Sequence, residues 1–221
     1  MLNKVLIASA AIIILMFGLV LNDHQSQRVN LTSNDVSWPN CGDSAIVNSP
    51  TGIIGVNGGL DFRLNPCPNK EASWFANYAL YINTGYPGNS YGKKYLLNPK
   101  KCQTSDSQCL AYNWGYNATK YSIDYADSEG IHSPLWWLDV ETDNSWTSSI
   151  GVNRASILGA IDAINHYVFM PKIGIYSDDL QWNTLVGSWN LRLPTWTATG
   201  ASTRSVAKES CSEKSFDNGA V

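Results

Sequence analysis

The sequence predicts an α/β fold of the TIM-type (β/α) barrel kind, incomplete at its C-terminal end and preceded by an N-terminal hydrophobic helix. From Asn34 onward, short β-branched segments alternate with longer helical ones, which is typical of parallel strands joined by crossover helices. The glycine spacing of a dinucleotide-binding sheet is absent from the turn GVNGGLDF, and this favours a barrel over an open sheet. About six β/α units can be counted, whereas a complete barrel has eight strands and about 250 residues.

The first 27 residues have the pattern of an export segment. Lys4 precedes the uncharged apolar run Val5–Leu21, and a positive amino end before such a run directs the rest of the chain outward. A buried helix is the alternative, but the terminal position favours export. Both a cleaved signal peptide and a membrane anchor fit. We therefore expect residues 1–27 to be a signal or membrane tether, residues 28–33 a spacer, and residues 34–221 a barrel domain that is secreted or held at the cell surface.

The strands and helices of this domain can be placed in order from their hydrophobic patterns. Strand segments are predicted at DVSW, GIIGVNGG, ALYINTG, LWWLDVE, KIGIYS and LPTWTAT, which begin at positions 35, 52, 79, 135, 172 and 193. Helical segments are predicted at 69–78, 110–130, 154–168 and 178–187. The final SFDNGAV has the pattern of the approach to a seventh strand.

The composition excludes two kinds of partner. Lys and Arg total 15 against 18 Asp and Glu, a formal charge of -3, with no basic run, so we expect no nucleic-acid partner. The three histidines are scattered, and no Cys/His spacing typical of zinc occurs, so we expect no metal site.

The five cysteines indicate an oxidising compartment. Cys102 and Cys109 lie close together in a polar loop and are the nearest local pair. Cys41 and Cys67 would then join the first two loops. This pairing leaves Cys211 without a predicted partner.

The stretch LWWLDVET places Asp139 and Glu141 in an apolar run of a chain that has only 15% charged residues. Side chains at i and i+2 of a strand face the same side, so these carboxyl groups should share one environment. In a poorly solvated site two neighbouring carboxylates repel each other, and one pKa rises. An apolar wall from Trp136, Trp137 and Leu138 would strengthen that effect. The alternative is that either acid caps a helix or pairs with Arg154 or Lys172.

Five ordered segments resemble the family 25 glycoside hydrolase barrels: DVSWPNC, IVNSPTGIIGVNGG, LWWLDVET, KIGIYSDDLQW and LPTWTATG. They are more similar still to the secreted, lysozyme-like branch of that superfamily, often described as a glycoside hydrolase-like domain of unknown function. The resemblance covers roughly Asn34 to Val221. It implies that Asp35, on the first strand, and the acids of the DxE on the fourth strand line the carboxyl end of the barrel.

The resemblance also implies a role for each acid. Glu141 would be the general acid that protonates the leaving glycosidic oxygen. Asp139 would orient the substrate N-acetyl group, which acts as the internal nucleophile, and Asp35 would support the site electrostatically. One protonated and one ionised carboxyl group near neutral pH is what such chemistry needs.

Aromatic and amide side chains near the carboxyl ends of strands are candidate sugar-binding groups. Aromatic rings cover the apolar faces of sugars, although most of the nine tryptophans and eleven tyrosines should be core residues. Asparagines that follow a strand could bind a glycan amide, and turn formation is their alternative role. The candidates are Trp38, Trp137, Tyr176 and Trp196 for stacking, and Asn57 and Asn83 for the amide.

The sequence therefore predicts an exported, lysozyme-like glycoside hydrolase that cuts an N-acetylated cell-wall polysaccharide such as peptidoglycan. We expect a monomer that needs no cofactor. A non-catalytic glycan-binding barrel at the cell surface is one alternative, favoured by the absent final strands. A structural envelope protein whose barrel only presents loops is another. The intact pair Asp139 and Glu141 favours the hydrolase.

Overall fold

The computed structural model describes residues 33–43, 50–200, 203–210 and 216. The expected export segment, the spacer up to residue 32, Cys211, and all but one residue of the expected approach to a seventh strand lie outside these residues. Among the described residues, every helix is too short or too polar to cross a membrane.

Six parallel strands of the described chain form one sheet, in which they follow the order of the sequence. The sheet is curled into a half-barrel, so the prediction of an α/β fold with parallel strands is confirmed, and the architecture is compatible with a partial barrel. The strands are β1 (Ser33–Val36), β2 (Thr51–Gly55), β3 (Asn77–Asn83), β4 (Leu135–Asp139), β5 (Lys172–Ser177) and β6 (Thr195–Thr197).

Helices connect most of these strands. They are α1 (Pro68–Ala72), α2 (Asn89–Gly92), α3 (Ser107–Ser128), α4 (Ile150–Tyr167), α5 (Asp179–Val186) and α6 (Arg204–Ser210), with 3-10 turns at Trp38–Gly42 and Lys93–Tyr95. Two of them begin at an aspartate whose side chain accepts a backbone N–H of the first turn: Asp106 before α3 and Asp178 before α5.

The helix expected at 69–78 is shorter than predicted. It ends at Ala72, and β3 already begins at Asn77. The backbone N–H groups of Ala76 and Asn77 both donate to the carbonyl oxygen of Pro50, so this segment is held by the edge of the sheet and cannot continue the helix. Tertiary hydrogen bonds therefore override the local helical pattern.

The core lies between the convex face of the sheet and the helices α3 and α4. The buried convex-face side chains are Val36, Ile54, Leu80, Ile82, Trp136, Leu138, Ile173 and Ile175, and Ile123, Ile157 and Ile164 cover them from the helices. Two glycines bring the helices together: a Cβ atom at Gly115 would lie 2.0 Å from the carbonyl oxygen of Ser156, and one at Gly159 would lie 2.0 Å from that of Tyr112. The concave face, on the other side of the sheet, carries both polar and aromatic side chains.

Both expected disulfide bonds are present. Cys41 pairs with Cys67, and Cys102 pairs with Cys109. The first bond joins the 3-10 turn after β1 to the start of α1. The second joins the loop before α3 to the first turn of that helix.

Candidate functional site

Four of the candidate residues form one row across the sheet. The strand register pairs Asn83 with Asp139, Asp139 with Tyr176, and Tyr176 with Trp196. Residues at one level of a parallel sheet point to the same face. All four side chains line a cavity of about 220 Å³ at the carboxyl ends of the strands.

The cavity collects seven of the nine candidate site residues. Asp35, Trp38 and Glu141 join the row of four, and Ser37, Gly59 and Tyr81 complete the lining. Sequence reasoning missed Tyr81, although it precedes Asn83 by two positions on β3 and must therefore face the same side. That period of two is the signal that could have found it.

Asp139 is held in a fixed position by two amides. Its side chain is buried, at 4% exposure. The Nδ2 group of Asn83 donates to Oδ2 at 2.7 Å, and the Nδ2 group of Asn144 donates to Oδ1 at 3.1 Å. Burial, and then the charge of Glu141, raise the pKa of Asp139 to about 8, although the hydrogen bond from Asn144 lowers it.

Asp35 is the second acid whose protonated form is favoured. Desolvation by the surrounding protein, followed by the charge of Glu141, raises the pKa of Asp35 to about 6. The residue nevertheless keeps contact with solvent, because β1 is an edge strand of the described sheet. Near neutral pH burial and the neighbouring charge therefore favour the protonated form of Asp139, whose pKa is raised further than that of Asp35.

Glu141 is half-buried and faces two neutral polar groups. The Nε2 group of Gln181 donates to its Oε1 atom at 3.5 Å, and Tyr176 lines the same cavity. Burial, and then the charges of Glu141 and Asp139, raise the pKa of Tyr176, so this hydroxyl stays protonated and remains a donor. Gln181 is itself positioned by Asp178, whose Oδ2 atom accepts from its amide at 2.9 Å.

Two site residues have no local sequence signal. Asn144 lies in the loop after β4, and Gln181 lies in the first turn of α5, where nothing in the hydrophobic pattern marks them. Their amides reach the acids only because the curled sheet brings these two segments to the same edge. Sequence reasoning therefore missed both.

The alternative in which Asp139 or Glu141 pairs with Arg154 or Lys172 does not hold in the described chain. Arg154 donates to the carbonyl oxygens of Val186 and Ser188. Lys172 begins β5, at the amino end of the sheet, while the acids lie at the carboxyl end. Glu141 and Asp139 form no ion pair with any residue that the structure describes.

The other two candidates lie outside the cavity. Asn57 is buried and bonds twice to the backbone of Asn83: its Nδ2 group donates to the carbonyl oxygen at 2.8 Å, and its Oδ1 atom accepts from the N–H at 3.0 Å. Its amide thus extends the pairing of β2 with β3 and is not free for a ligand. Trp137 is on the concave face two positions before Asp139 on β4. Its ring packs against Gly174, and a Cβ atom at Gly174 would come within 2.3 Å of that ring.

Trp137 still contributes to the aromatic wall. Its ring meets that of Trp196 edge to face, with centroids 5.8 Å apart, and Trp196 in turn contacts Tyr176 at 4.6 Å. The indole N–H of Trp137 is buried and has no hydrogen-bond partner among the described residues. The apolar wall expected from three consecutive residues is therefore supplied by Trp137 alone, because Trp136 and Leu138 point to the convex core.

One group of side chains has a spacing that could suit a metal ion. Among the described residues, Cys41, Cys67 and Glu71 each bring a possible ligand atom within 4.8 Å of the other two. The two sulfur atoms form a disulfide bond, so neither is a thiolate ligand.

Comparison with known proteins gives one match. A family model described as lysozyme-like protein 1 matches residues 105–217, which is just over half of the chain. The matched stretch includes Asp139, Glu141, Tyr176 and Trp196, but not Asp35. No curated protein and no solved structure matches the chain.

Proposed function

Because the chain belongs to the lysozyme-like protein 1 family, we propose that it is a glycoside hydrolase that cuts an N-acetylated cell-wall polysaccharide such as peptidoglycan. We also propose that its barrel is related to the family 25 glycoside hydrolases and their secreted, lysozyme-like branch. In this proposal the chain is exported, with residues 1–27 as a cleaved signal or membrane tether, and it works as a monomer without a cofactor.

A single observation carries this proposal: Asp35, Asp139 and Glu141 line one cavity. Burial and the charge of Glu141 raise the pKa of Asp139 and of Asp35 in it, which favours retention of a proton. Glycosidic cleavage needs a proton donor beside an ionised carboxylate. Of these two neighbouring acids, Asp139 is the one whose protonated form is favoured, by burial and then by the charge of Glu141.

Asp139 passes its proton to Glu141 when substrate binds, and Glu141 is the group that transfers it, because the Glu141 carboxyl group is the less buried of the pair and lines the cavity beside Tyr176. As the bond between the anomeric carbon and the leaving oxygen breaks, Glu141 gives its proton to that oxygen. Asp139, already fixed by two amides, orients the substrate acetamido group, whose oxygen bonds to the anomeric carbon. Water then opens this intermediate and returns a proton to Glu141, while Asp35 tunes the local charge.

The aromatic side chains fit a sugar substrate. The ring of Trp38 is 45% exposed at the rim of the cavity, while Tyr176 and Trp196 form its inner wall. Such rings cover the apolar faces of sugars, and the neighbouring hydroxyl and amide groups bind sugar hydroxyls.

The proposal is tested by digesting purified peptidoglycan and measuring the reducing ends released. We expect Glu141→Gln to lower the rate by about 100-fold or more, which is the usual contribution of a general acid. The matched control is Glu129→Gln at the end of α3, outside the cavity, which should keep the wild-type rate.

Equal rates for wild type and Glu141→Gln would remove Glu141 from the chemistry. A wild-type protein that binds the polymer but releases no reducing ends would instead identify a non-catalytic glycan-binding barrel. Circular dichroism of all three proteins shows whether a lost rate reflects a lost fold.

A further inference from the structure

A second cavity, of about 210 Å³, lies beside the first at the same end of the sheet. Asn144 links the two, because its amide donates to Asp139 in the first cavity while the residue also lines the second. Thr84 also contacts both sites. Its hydroxyl donates to the carbonyl oxygen of Asp139 at 2.7 Å, and the residue lines the second cavity. The two cavities therefore lie next to each other at the carboxyl end of the sheet, with Asn144 and Thr84 between them.

The second cavity contains one carboxyl group, that of Asp61. The Nε1 group of Trp114 donates to its Oδ2 atom at 2.6 Å, and this is the only hydrogen bond to the carboxyl group from the residues that the structure describes. The other oxygen is left to accept from a ligand. Burial raises the pKa of Asp61 to about 7, which agrees with a poorly solvated carboxyl group.

A strained turn holds Asp61 in this place. The next residue, Phe62, has a φ of 58°, a left-handed conformation that is uncommon outside glycine. The ring of Phe62 stacks on Tyr95 with centroids 5.3 Å apart and meets Trp114 edge to face at 4.9 Å. These contacts stabilise the turn, so the position of the carboxyl group is built into the fold.

The lining of the second cavity suits a neutral polar ring. The side chain of Tyr91 is 52% exposed, and its ring lies edge to face with Trp114 at 6.2 Å. An exposed aromatic face beside a hydrogen-bond acceptor is the usual environment of a bound sugar. The lining includes no Lys or Arg, so a phosphate or carboxylate ligand has no cation to pair with.

We propose that the second cavity is a subsite for a neutral N-acetylated sugar, which occupies it while the next unit of the same polysaccharide occupies the first cavity. Asp61 accepts a hydrogen bond from a sugar hydroxyl or amide N–H, and Tyr91 covers the sugar ring. This inference rests on the proposed function and extends it from one sugar to a longer stretch of the polymer.

The test measures binding in the Glu141→Gln background, so that no ligand is consumed. The ligands are N-acetylglucosamine itself and its linear oligomers up to the hexamer, and binding is measured by isothermal titration calorimetry. In the parent protein we expect affinity to increase with length. In Tyr91→Ala and Asp61→Asn, the gain in affinity from monomer to dimer, which is the step that fills the second cavity, should fall about tenfold, a change of about 1.4 kcal/mol.

The two variants control for folding in different ways. The side chain of Tyr91 is largely exposed, and Asn at position 61 still offers an acceptor to Trp114. Phe169→Ala is the matched aromatic control, because Phe169 is 86% exposed in the loop before β5, at the opposite end of the sheet. Phe169→Ala should show the same gain in affinity with ligand length as the parent protein.

Two outcomes would overturn the subsite, and they differ in what they say of the proposed function. A parent protein that binds the oligomers, with the same gain from monomer to dimer in Tyr91→Ala and Asp61→Asn, would refute the subsite and leave the proposed function standing. A parent protein that binds no oligomer of any length would overturn both.

Discussion

Asn83 and Asp139 are register partners on neighbouring strands, and the side-chain amide of Asn83 donates a 2.7 Å hydrogen bond to the Asp139 carboxyl group. Asn57 holds the backbone of Asn83 from the other side through two hydrogen bonds. The acid is therefore anchored through β3 to β2, and its orientation does not depend on substrate.

Replacing Asn83 with alanine should lower the rate of polysaccharide cleavage about tenfold to 100-fold, because Asp139 loses one of its two amide donors and with it a fixed orientation. The fold should survive, since Asn57 bonds to the backbone of residue 83 and not to its side chain. Reducing-end assays measure the rate.

The matched control is Asn183→Ala on α5, whose amide donates to the carbonyl oxygen of Asp179 within the same helix. It should keep full activity. Full activity in Asn83→Ala would show that the amide of Asn83 has no part in positioning the acid.

The row of site residues shows what could be predicted from the sequence. Strand periodicity placed Asp139 and Glu141 on one side, and the ends of predicted strands marked Asn83, Tyr176 and Trp196. These positions depend only on local pattern and on the rule that parallel strands share their carboxyl ends. The structure brings them together as expected.

Other features depend on contacts that no local pattern encodes. Asn57 follows a strand just as Asn83 does, yet the register uses its amide to extend the sheet. Asn144 and Asp61 lie in loops whose paths are fixed by packing, through the aromatic cluster around Phe62 in the second case. Nor does spacing alone show which of two neighbouring acids is the more buried, and burial is the largest cause of the raised pKa of Asp139.

The stability of the protein should fall as pH rises from about 4 to about 8. Burial raises the pKa of Asp35, Asp61, Glu71 and Asp139 to between about 6 and about 8, from ordinary values of 3.8 for Asp and 4.5 for Glu. In that window the folded state binds more protons than the unfolded state, so ionisation favours unfolding. Urea denaturation at successive pH values measures the slope.

The variant Asp139→Asn should make this slope shallower by up to about 1.4 kcal/mol per pH unit, because one buried ionisable group is removed. It should also abolish cleavage. The control, Asp143→Asn, changes a solvent-exposed aspartate and should keep the wild-type slope. Parallel slopes for wild type and Asp139→Asn would contradict a raised pKa at this residue.

The two disulfide bonds should contribute unequally to stability. Cys41 and Cys67 are separated by 26 positions and Cys102 and Cys109 by seven, and the entropy lost by the unfolded chain grows with loop length. Replacing both cysteines of the first bond with serine should cost about 3.5 kcal/mol, against about 2.4 kcal/mol for the second. Urea unfolding of the two double variants measures the loss in the free energy of unfolding for each bond. A larger loss for the Cys102–Cys109 pair would contradict the prediction.

The central claim is that the cavity retains a proton on Asp139 near neutral pH, and its most direct test is a carbon-13 NMR titration of the side-chain carboxyl groups. The signal of Asp139 is assigned by its loss in Asp139→Asn. We predict a titration midpoint near pH 8, where burial and the charge of Glu141 place the pKa. A midpoint near pH 4, the ordinary value for an aspartate, would contradict the claim.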